Sequence, residues 1–270
     1  MIRIISILAG VFFTLALLTS FSKGAYSYIT EPPAATAVND YHKEAKELDL
    51  PSNGPFGKFD MQQVQRGFQV YTEVCSNCHM LHQVAFRDLR EIGYNADEVK
   101  AIAAKLKIPH YDPKTGEVKT VSGLPTDHFP PVVYGGQGSP PDLSLITKAR
   151  EGGPAYVYSL LTGYQDQPAD LLAKYPDAKT PDGLHYNPYF ANLNIAMPPP
   201  LTSDGQVTYK DGTKPTIDQM ARDVAAFLVW TAEPKLENRH QAGFAVLGFL
   251  IFATILAYMA YQNVWAGKKH

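Results

Sequence analysis

The sequence predicts a mostly α-helical domain with long loops, followed by a C-terminal transmembrane helix and preceded by a possible N-terminal one. Two segments, 60–74 and 216–233, begin with a capping residue and repeat apolar side chains at helical spacing. An uncharged run at 242–264 is long enough to cross a hydrocarbon core of about 30 Å. The 21 prolines indicate stiff loops between the helices.

The first residues, 1–21, are either a secretory signal peptide or a retained N-terminal membrane anchor. Arg3 precedes an uncharged run from Ile4 to Phe21, and only a poor small-X-small cleavage site follows. The sequence favours retention over cleavage, and both alternatives imply export. Residues 22–58 contain prolines, alanines and a charged patch, and they predict a linker to the globular domain.

The globular domain is expected at 59–238, and its first helix follows Asp60. Asp60 can cap the first turn, with Gln63 three residues on, as in a capping box. Gly67 lowers the helix propensity. Its missing side chain would let another helix cross closely, and a packing accident without a role is an equally simple alternative. This helix leads directly to Cys75.

The remaining elements of the domain alternate with loops. We expect helices at 96–107, 143–149 and 155–162, and the turn of a small hairpin at 112–116. Residues 165–200 show little periodicity and predict a long loop. Thr216 caps the last helix, Gln219 would complete a capping box, and Pro234 ends the helix.

Charge is distributed unevenly along the chain. All 26 acidic residues lie within 31–237, where there are 19 basic residues, so this part carries a net charge of −7. Lys268 and Lys269 follow the C-terminal apolar run and favour a cytoplasmic C-terminus, which places the acidic domain on the far side of the membrane. Acidity there would either attract a basic partner or only keep the domain soluble.

Residues 74–79, Val-Cys-Ser-Asn-Cys-His, contain the only two cysteines of the chain. This spacing is typical of a c-type haem attachment site, in which Cys75 and Cys78 bind one haem c covalently and His79 is an iron ligand. The alternatives are a redox disulfide and a zinc site completed by His79 and His82. Neither a βαβ pattern nor a second cysteine pair supports them.

A second iron ligand would decide the task of the haem. An open position suggests ligand binding or oxygen chemistry, whereas a methionine sulfur opposite histidine suggests high-potential electron transfer. Met197 is a candidate because the prolines that follow it restrict its loop. A methionine that merely fills space is the alternative, as are four histidines: His82, His110, His128 and His185.

Several motifs together resemble the cytochrome c1 family, the c-haem subunits of the cytochrome bc1 complex (ubiquinol–cytochrome c reductase). The resemblance covers roughly residues 55–268. The motifs are Arg-Gly-Phe-Gln-Val-Tyr at 66–71 before the haem motif, Pro-Pro-Asp-Leu-Ser at 140–144, Arg150 with Gly152 and Gly153, Leu-Leu-Thr-Gly-Tyr at 160–164, Tyr-Asn-Pro-Tyr-Phe at 186–190, Met-Pro-Pro-Pro at 197–200, and Ala-Glu-Pro at 232–234 before a single C-terminal span.

The resemblance implies a class I-like cytochrome c domain and a set of haem contacts. It implies axial ligation by His79 and Met197 and a propionate contact for Arg150. It also places three residues around the haem: Tyr156 beside it, and Pro140 and Pro141 near its edge. Some relatives carry a disulfide near the methionine loop. This chain has no further cysteines, so packing and prolines must hold the loop.

The resemblance also implies a function and its partners. The chain would take single electrons from the Rieske iron–sulfur protein and pass them to a cytochrome c, beside a cytochrome b subunit that oxidises quinol. The dimeric complex would lie in the lipid of a bacterial inner membrane, with the haem domain periplasmic and no role for nucleic acid. No hydrolase, metalloprotease or Walker motif indicates an enzyme on this chain alone. The alternatives are a stand-alone membrane-anchored cytochrome c and a haem-based sensor or peroxidase.

Overall fold

The computed structural model describes residues 2–32, 34–136 and 138–268 and is mostly helical, as predicted. Two small antiparallel sheets join β1 (Lys107–Tyr111) to β2 (Val118–Ser122) and β3 (His185–Tyr186) to β4 (Asn194–Ile195). Short 3₁₀ segments lie at Phe86–Ile92 and Pro176–Ala178. The α-helices are α1 (Ile2–Thr30), α2 (Ala37–Tyr41), α3 (Met61–Val70), α4 (Ala96–Ala104), α5 (Ile146–Ala149), α6 (Gly153–Leu161), α7 (Ala169–Lys174), α8 (Ile217–Ala232) and α9 (Leu236–Trp265).

The core forms where α3 crosses α8. A Cβ atom on Gly67 would lie 2.0 Å from the carbonyl oxygen of Asp223 and 2.6 Å from Cβ of Phe227, so only glycine permits this approach. The sequence-based expectation of a close crossing at Gly67 is confirmed. Phe68 and Tyr71 pack against Phe227 with ring centroids 5.5 and 5.7 Å apart.

A buried ion pair joins the same two helices. The guanidinium of Arg66 donates to both carboxylate oxygens of Asp223, at 2.9 and 3.3 Å, and to Asp211 at 2.7 Å. Burial alone would lower the pKa of Arg66, but the hydrogen bonds to Asp223 and Asp211 outweigh it and raise the pKa. Pairing of this kind is what a fully buried carboxylate requires.

The helix caps follow the prediction only in part. The Asp60 carboxylate accepts hydrogen bonds from the backbone of Gln62 and Gln63, and the Thr216 hydroxyl accepts one from the backbone of Gln219. Neither predicted capping box forms in the described structure: the side chain of Gln219 donates to Asp223 instead of returning to the cap, and the Gln63 side chain makes no return bond to the backbone of Asp60. A buried, charged carboxylate is a stronger hydrogen-bond partner for the Gln219 amide than the backbone N–H of the cap.

Two predicted element boundaries need correction. The helix predicted at 96–107 is α4, which ends at Ala104 because the chain turns into β1. The predicted hairpin turn at 112–116 then leads to β2. Residues 165–200 are not a single loop, since they contain α7, β3 and β4. Their few buried apolar residues leave no periodic pattern.

Two helices, α1 and α9, are long and apolar enough to cross a membrane. Helix α1 continues past the predicted 1–21 to Thr30, and α9 begins at Leu236, ahead of the predicted 242–264. Residues 22–58 were predicted as a linker, but residues 22–30 belong to α1 and residues 37–41 form α2. Asp40 of α2 forms an ion pair with Lys174 of α7 at 2.5 Å. Beyond α2 the chain lies along the domain, and Leu50 is buried in it.

Candidate haem site

The cysteine motif begins in a π-helical turn that follows α3. In this turn, Tyr71–Cys75, the backbone N–H of Ser76 donates to the carbonyl of Tyr71 at 2.8 Å. Two further bonds to the carbonyl of Cys75, from Cys78 and His79, wind the motif into consecutive turns. Both thiols and the imidazole are therefore presented by one short backbone segment.

The two thiols are free and partly shielded. Burial, aided by the neighbouring Cys78, raises the pKa of Cys75 to about 12. Cys75 is therefore poorly suited to supply the accessible thiolate that a redox-active pair uses. In the part of the chain that the structure describes, no three His, Cys, Asp or Glu side chains cluster as a metal ion would need, so the zinc alternative has no support either.

The imidazole of His79 is oriented by a backbone carbonyl. Its Nδ1 lies 2.8 Å from the carbonyl oxygen of Pro141. A carbonyl only accepts, so Nδ1 carries the proton and Nε2 has a free lone pair, as an iron ligand requires. Burial lowers the pKa of His79, although the hydrogen bond to Pro141 acts in the opposite direction. The tyrosine hydroxyl of Tyr71 also donates to the carbonyl of His79, at 3.0 Å.

Pro141 is held by the segment that follows it. The carboxylate of Asp142 accepts hydrogen bonds from the backbone of Ser144 at 2.7 Å and of His82 at 3.2 Å. The backbone of Leu143 donates to the carbonyl of Met80 at 3.0 Å. Residues 141–144 are thus tied to the turn that carries His79. Asp142 belongs to the Pro-Pro-Asp-Leu-Ser motif, but its sequence neighbours do not indicate this role.

Met197 is half-buried and lies just after β4. The Tyr164 hydroxyl donates to the carbonyl of Met197 at 3.0 Å, and burial raises the pKa of Tyr164, so this hydroxyl stays protonated. The adjoining strand pairs with β3 through Ile195 and His185. The methionine loop is therefore fixed at its backbone before Pro198–Pro200 continue it.

Arg150 lies at the end of α5, on the surface and beside Tyr156. Its guanidinium donates to the carbonyl of Ala149 at 3.0 Å, and no ion pair of Arg150 with a carboxylate occurs among the described residues. Burial raises the pKa of Tyr156, while the neighbouring Arg150 acts to lower it. Pro140 is half-buried, next to the Pro141 carbonyl described above. An exposed arginine without a carboxylate partner is suited to bind a propionate.

A lysine that the sequence did not reveal supports helix α6, which also carries Tyr156. Lys46 donates through Nζ to the hydroxyl and carbonyl oxygens of Thr162, at 2.7 and 3.2 Å, at the C-terminal end of α6. Its ammonium group also lies 5.7 and 5.2 Å from the ring centres of Tyr158 and Tyr189. The backbone of Lys46 donates to the Ser159 hydroxyl at 2.7 Å. A cation at this end of a helix is electrostatically favourable.

The four rival histidines occupy different surroundings. His110 lies 2.9 Å from the Asp127 carboxylate, and the rings of His82 and His128 are 6.3 Å apart. His185 lies in β3 and lines a cleft of about 520 Å³ together with Tyr164 and Pro199. Among the four, His185 is thus the one that shares its surroundings with the methionine loop.

These residues fit a covalently bound haem. The structure combines two free, shielded thiols on one turn with an adjacent imidazole whose Nε2 lone pair is available. It separately fixes a methionine loop and leaves Arg150 exposed without a carboxylate partner. Such a donor set can hold one iron porphyrin and saturate its iron with nitrogen and sulfur.

Comparisons with known proteins agree with this interpretation. The Cytochrome C1 family matches residues 50–268. Cytochrome c1 of Rhodospirillum rubrum is 40% identical over 253 residues, which cover 87% of this chain and 93% of the relative. Cytochrome c1 of Cereibacter sphaeroides is 39% identical over 274 residues, with 87% and 91% covered. A Bradyrhizobium diazoefficiens protein named cytochrome b/c1 is 43% identical over 236 residues, which are 79% of this chain and 34% of that longer protein.

Proposed function

The chain belongs to the cytochrome c1 family, and we propose that it carries single electrons from the Rieske iron–sulfur protein to a cytochrome c. As a member of this family, the protein binds a covalent c-type haem and takes part in electron transfer as a haem subunit of the bc1 complex, anchored in a membrane. The bound haem supplies a reversible one-electron couple between ferric and ferrous iron.

The orientation of His79 is the observation that carries the proposal. Its Nδ1 is occupied by the Pro141 carbonyl, which leaves Nε2 for the iron. Met197 would be the second residue that holds the iron, because its loop is fixed by Tyr164 and by β4. Two strong ligands keep the coordination unchanged between the oxidation states, which favours electron transfer over the binding of oxygen or other small ligands.

The surrounding residues are assigned supporting roles. We propose that Cys75 and Cys78 attach the haem, that Arg150 pairs with a propionate, and that Tyr156 lies beside the ring. Pro140 and Pro141 would pack at its edge, where they keep water away from the His79 side. No residue of this chain is assigned to making or breaking substrate bonds.

The partners and the topology follow from charge and from the relatives. We propose a periplasmic haem domain at 59–238 on a bacterial inner membrane, a spanning helix with a cytoplasmic C-terminus, and a retained N-terminal anchor. The acidic middle of the chain would attract a basic cytochrome c. A relative named cytochrome b/c1 supports cytochrome b as a partner. In the dimeric complex this chain would pass electrons to cytochrome c.

Purification and rapid mixing test the proposal. The haem-c protein should copurify with a b-type haem protein from solubilised membranes; migration alone would favour a stand-alone carrier. Reduced Rieske fragment mixed with the oxidised complex should reduce haem c, and oxidised cytochrome c should then reoxidise it at a rate that falls with ionic strength. A complex that the Rieske fragment does not reduce contradicts the route. Rapid carbon monoxide binding by the reduced native protein would instead favour a sensor or peroxidase.

A further inference from the structure

A short loop beside the start of α9, residues 53–58, carries an unusually exposed aromatic side chain. Phe56 is 78% exposed, yet its ring stacks on that of Phe244, with centroids 4.9 Å apart and planes 12° from parallel. Phe244 is itself 45% exposed. The pair therefore forms one apolar surface that is shared by the haem domain and by the apolar helix.

The loop is fixed to one face of α9. The backbone N–H of Phe59 donates to the Glu237 carboxylate at 3.0 Å, and His240 Nδ1 lies 3.3 Å from the carbonyl oxygen of Gly57. Glu237, His240 and Phe244 are spaced three and four residues apart, so they lie along one side of the helix. The loop thus meets α9 over two successive turns.

The loop is also rigid on its domain side. Backbone bonds join Gly57 to Gly54 at 3.2 Å and Lys58 to Pro51 at 2.9 Å. A Cβ atom on Gly57 would lie 2.3 Å from the carbonyl oxygen of Ser52, so this tight turn needs glycine. Phe56 therefore projects from a supported position.

The height of Phe56 along α9 indicates what surrounds it. The uncharged run of α9 starts at Ala242, and a helix rises about 1.5 Å per residue, so Phe244 lies about 3 Å inside that run. Phe56, stacked on it, lies at the same level. Arg239 and Lys58 are both exposed. Arg239 precedes the uncharged run of α9, and Lys58 is followed by Phe59, whose backbone bonds to Glu237 ahead of that run. An aromatic ring at the boundary with cations just outside it is typical of the membrane–water interface.

We propose that residues 53–58 are a second membrane contact of the haem domain, with Phe56 among phospholipid headgroups and upper acyl carbons and Lys58 facing the phosphates. Lipid is the expected occupant because the Phe56 ring continues the exposed apolar surface of α9, a helix long and apolar enough to cross a membrane. Together with the bonds to Glu237 and His240, this contact would fix the tilt of the domain relative to α9. The domain would then present its haem to partners at one height above the membrane.

Photocrosslinking in native membranes tests this contact. The full chain with Phe56→p-benzoylphenylalanine is irradiated, and its adducts are identified by mass spectrometry. We expect phospholipid adducts, and no lipid adducts from the same probe at Tyr111, which is 66% exposed on the β1–β2 hairpin. Adducts only to another protein subunit, or no adducts at 56, would overturn the proposal.

A second variant tests the charge. Lys58→Glu should lower the fraction of anionic phospholipids among the adducts of the position-56 probe at least twofold, while haem content stays the same. An unchanged ratio of anionic to zwitterionic adducts would show that Lys58 does not face the phosphates, and would overturn that part of the proposal.

Discussion

The imidazole Nδ1 of His79 lies 2.8 Å from the carbonyl oxygen of Pro141, although 62 residues separate them along the chain. The carbonyl belongs to a segment that the Asp142 carboxylate ties to the backbone of His82. Asp142 therefore acts on the proposed iron ligand indirectly, through the position of the Pro141 carbonyl. Proximal hydrogen bonds of this kind make an imidazole a stronger donor to the metal.

Replacing Asp142 should loosen this hydrogen bond without detaching the haem. Asp142→Ala removes the acceptor for two backbone N–H groups, so the Pro141 carbonyl becomes mobile and the imidazole donates less charge. We expect the reduction potential to rise by about 20–50 mV, measured by redox titration. Asp112→Ala is the control, since Asp112 makes a similar bond to Lys114 in a distant turn. A potential that is unchanged or lower would contradict this account of His79.

The proposed distal ligand can be tested with Met197→Leu. Covalent haem should remain, because the attachment motif is untouched, but the potential should fall by on the order of 0.1–0.2 V, since thioether ligation raises it. Reduced Met197→Leu should also bind carbon monoxide, which the native protein should not. Met61→Leu is the matched control on the outer side of α3. If His185→Leu has these effects and Met197→Leu does not, Met197 is not the ligand.

Much of this arrangement could be predicted because its signals are local. The caps of α3 and α8 and the haem motif each lie within a few residues, and Gly67 signalled the helix crossing. By contrast, β4 could not be predicted. It begins after Leu193, a buried residue with a φ of 66°. Leucine rarely adopts this left-handed conformation, so the residue type gives no sign of it.

The support of helix α6 by Lys46 could not be predicted from the sequence either. Its partners Ser159 and Thr162 are 113 and 116 residues away, and a lysine in a charged segment resembles any solvated lysine. The side chain of Gln219 likewise donates to the buried Asp223 carboxylate and does not return to its own helix cap. Long-range hydrogen bonds of this kind depend on the folded surroundings and not on local sequence.

Tyr164 should hold the methionine loop through one hydrogen bond. Tyr164→Phe keeps the ring and removes the hydroxyl that donates to the Met197 carbonyl, which should weaken sulfur ligation by about 1 kcal/mol. Added imidazole should then displace the sulfur from ferric haem at roughly fivefold lower concentration, followed through the sulfur-to-iron absorption band. Tyr111→Phe, an exposed tyrosine on β1, should leave the titration unchanged. A Tyr164→Phe curve that overlays the native one would remove Tyr164 from this role.

Lys46 should stabilise the C-terminal end of α6 locally. Lys46→Met keeps an apolar stem but removes the hydrogen bonds to Thr162 and the cation near Tyr158 and Tyr189. We expect the free energy of local opening at the end of α6 to fall by about 1.5–3 kcal/mol, the range for hydrogen bonds to charged groups. Hydrogen exchange followed by mass spectrometry over residues 155–163 measures this. Lys43→Met is the matched control, because the Lys43 side chain is exposed and only its backbone is bonded, to Pro188. Equal exchange in the two variants would mean that backbone contacts alone hold this segment in place.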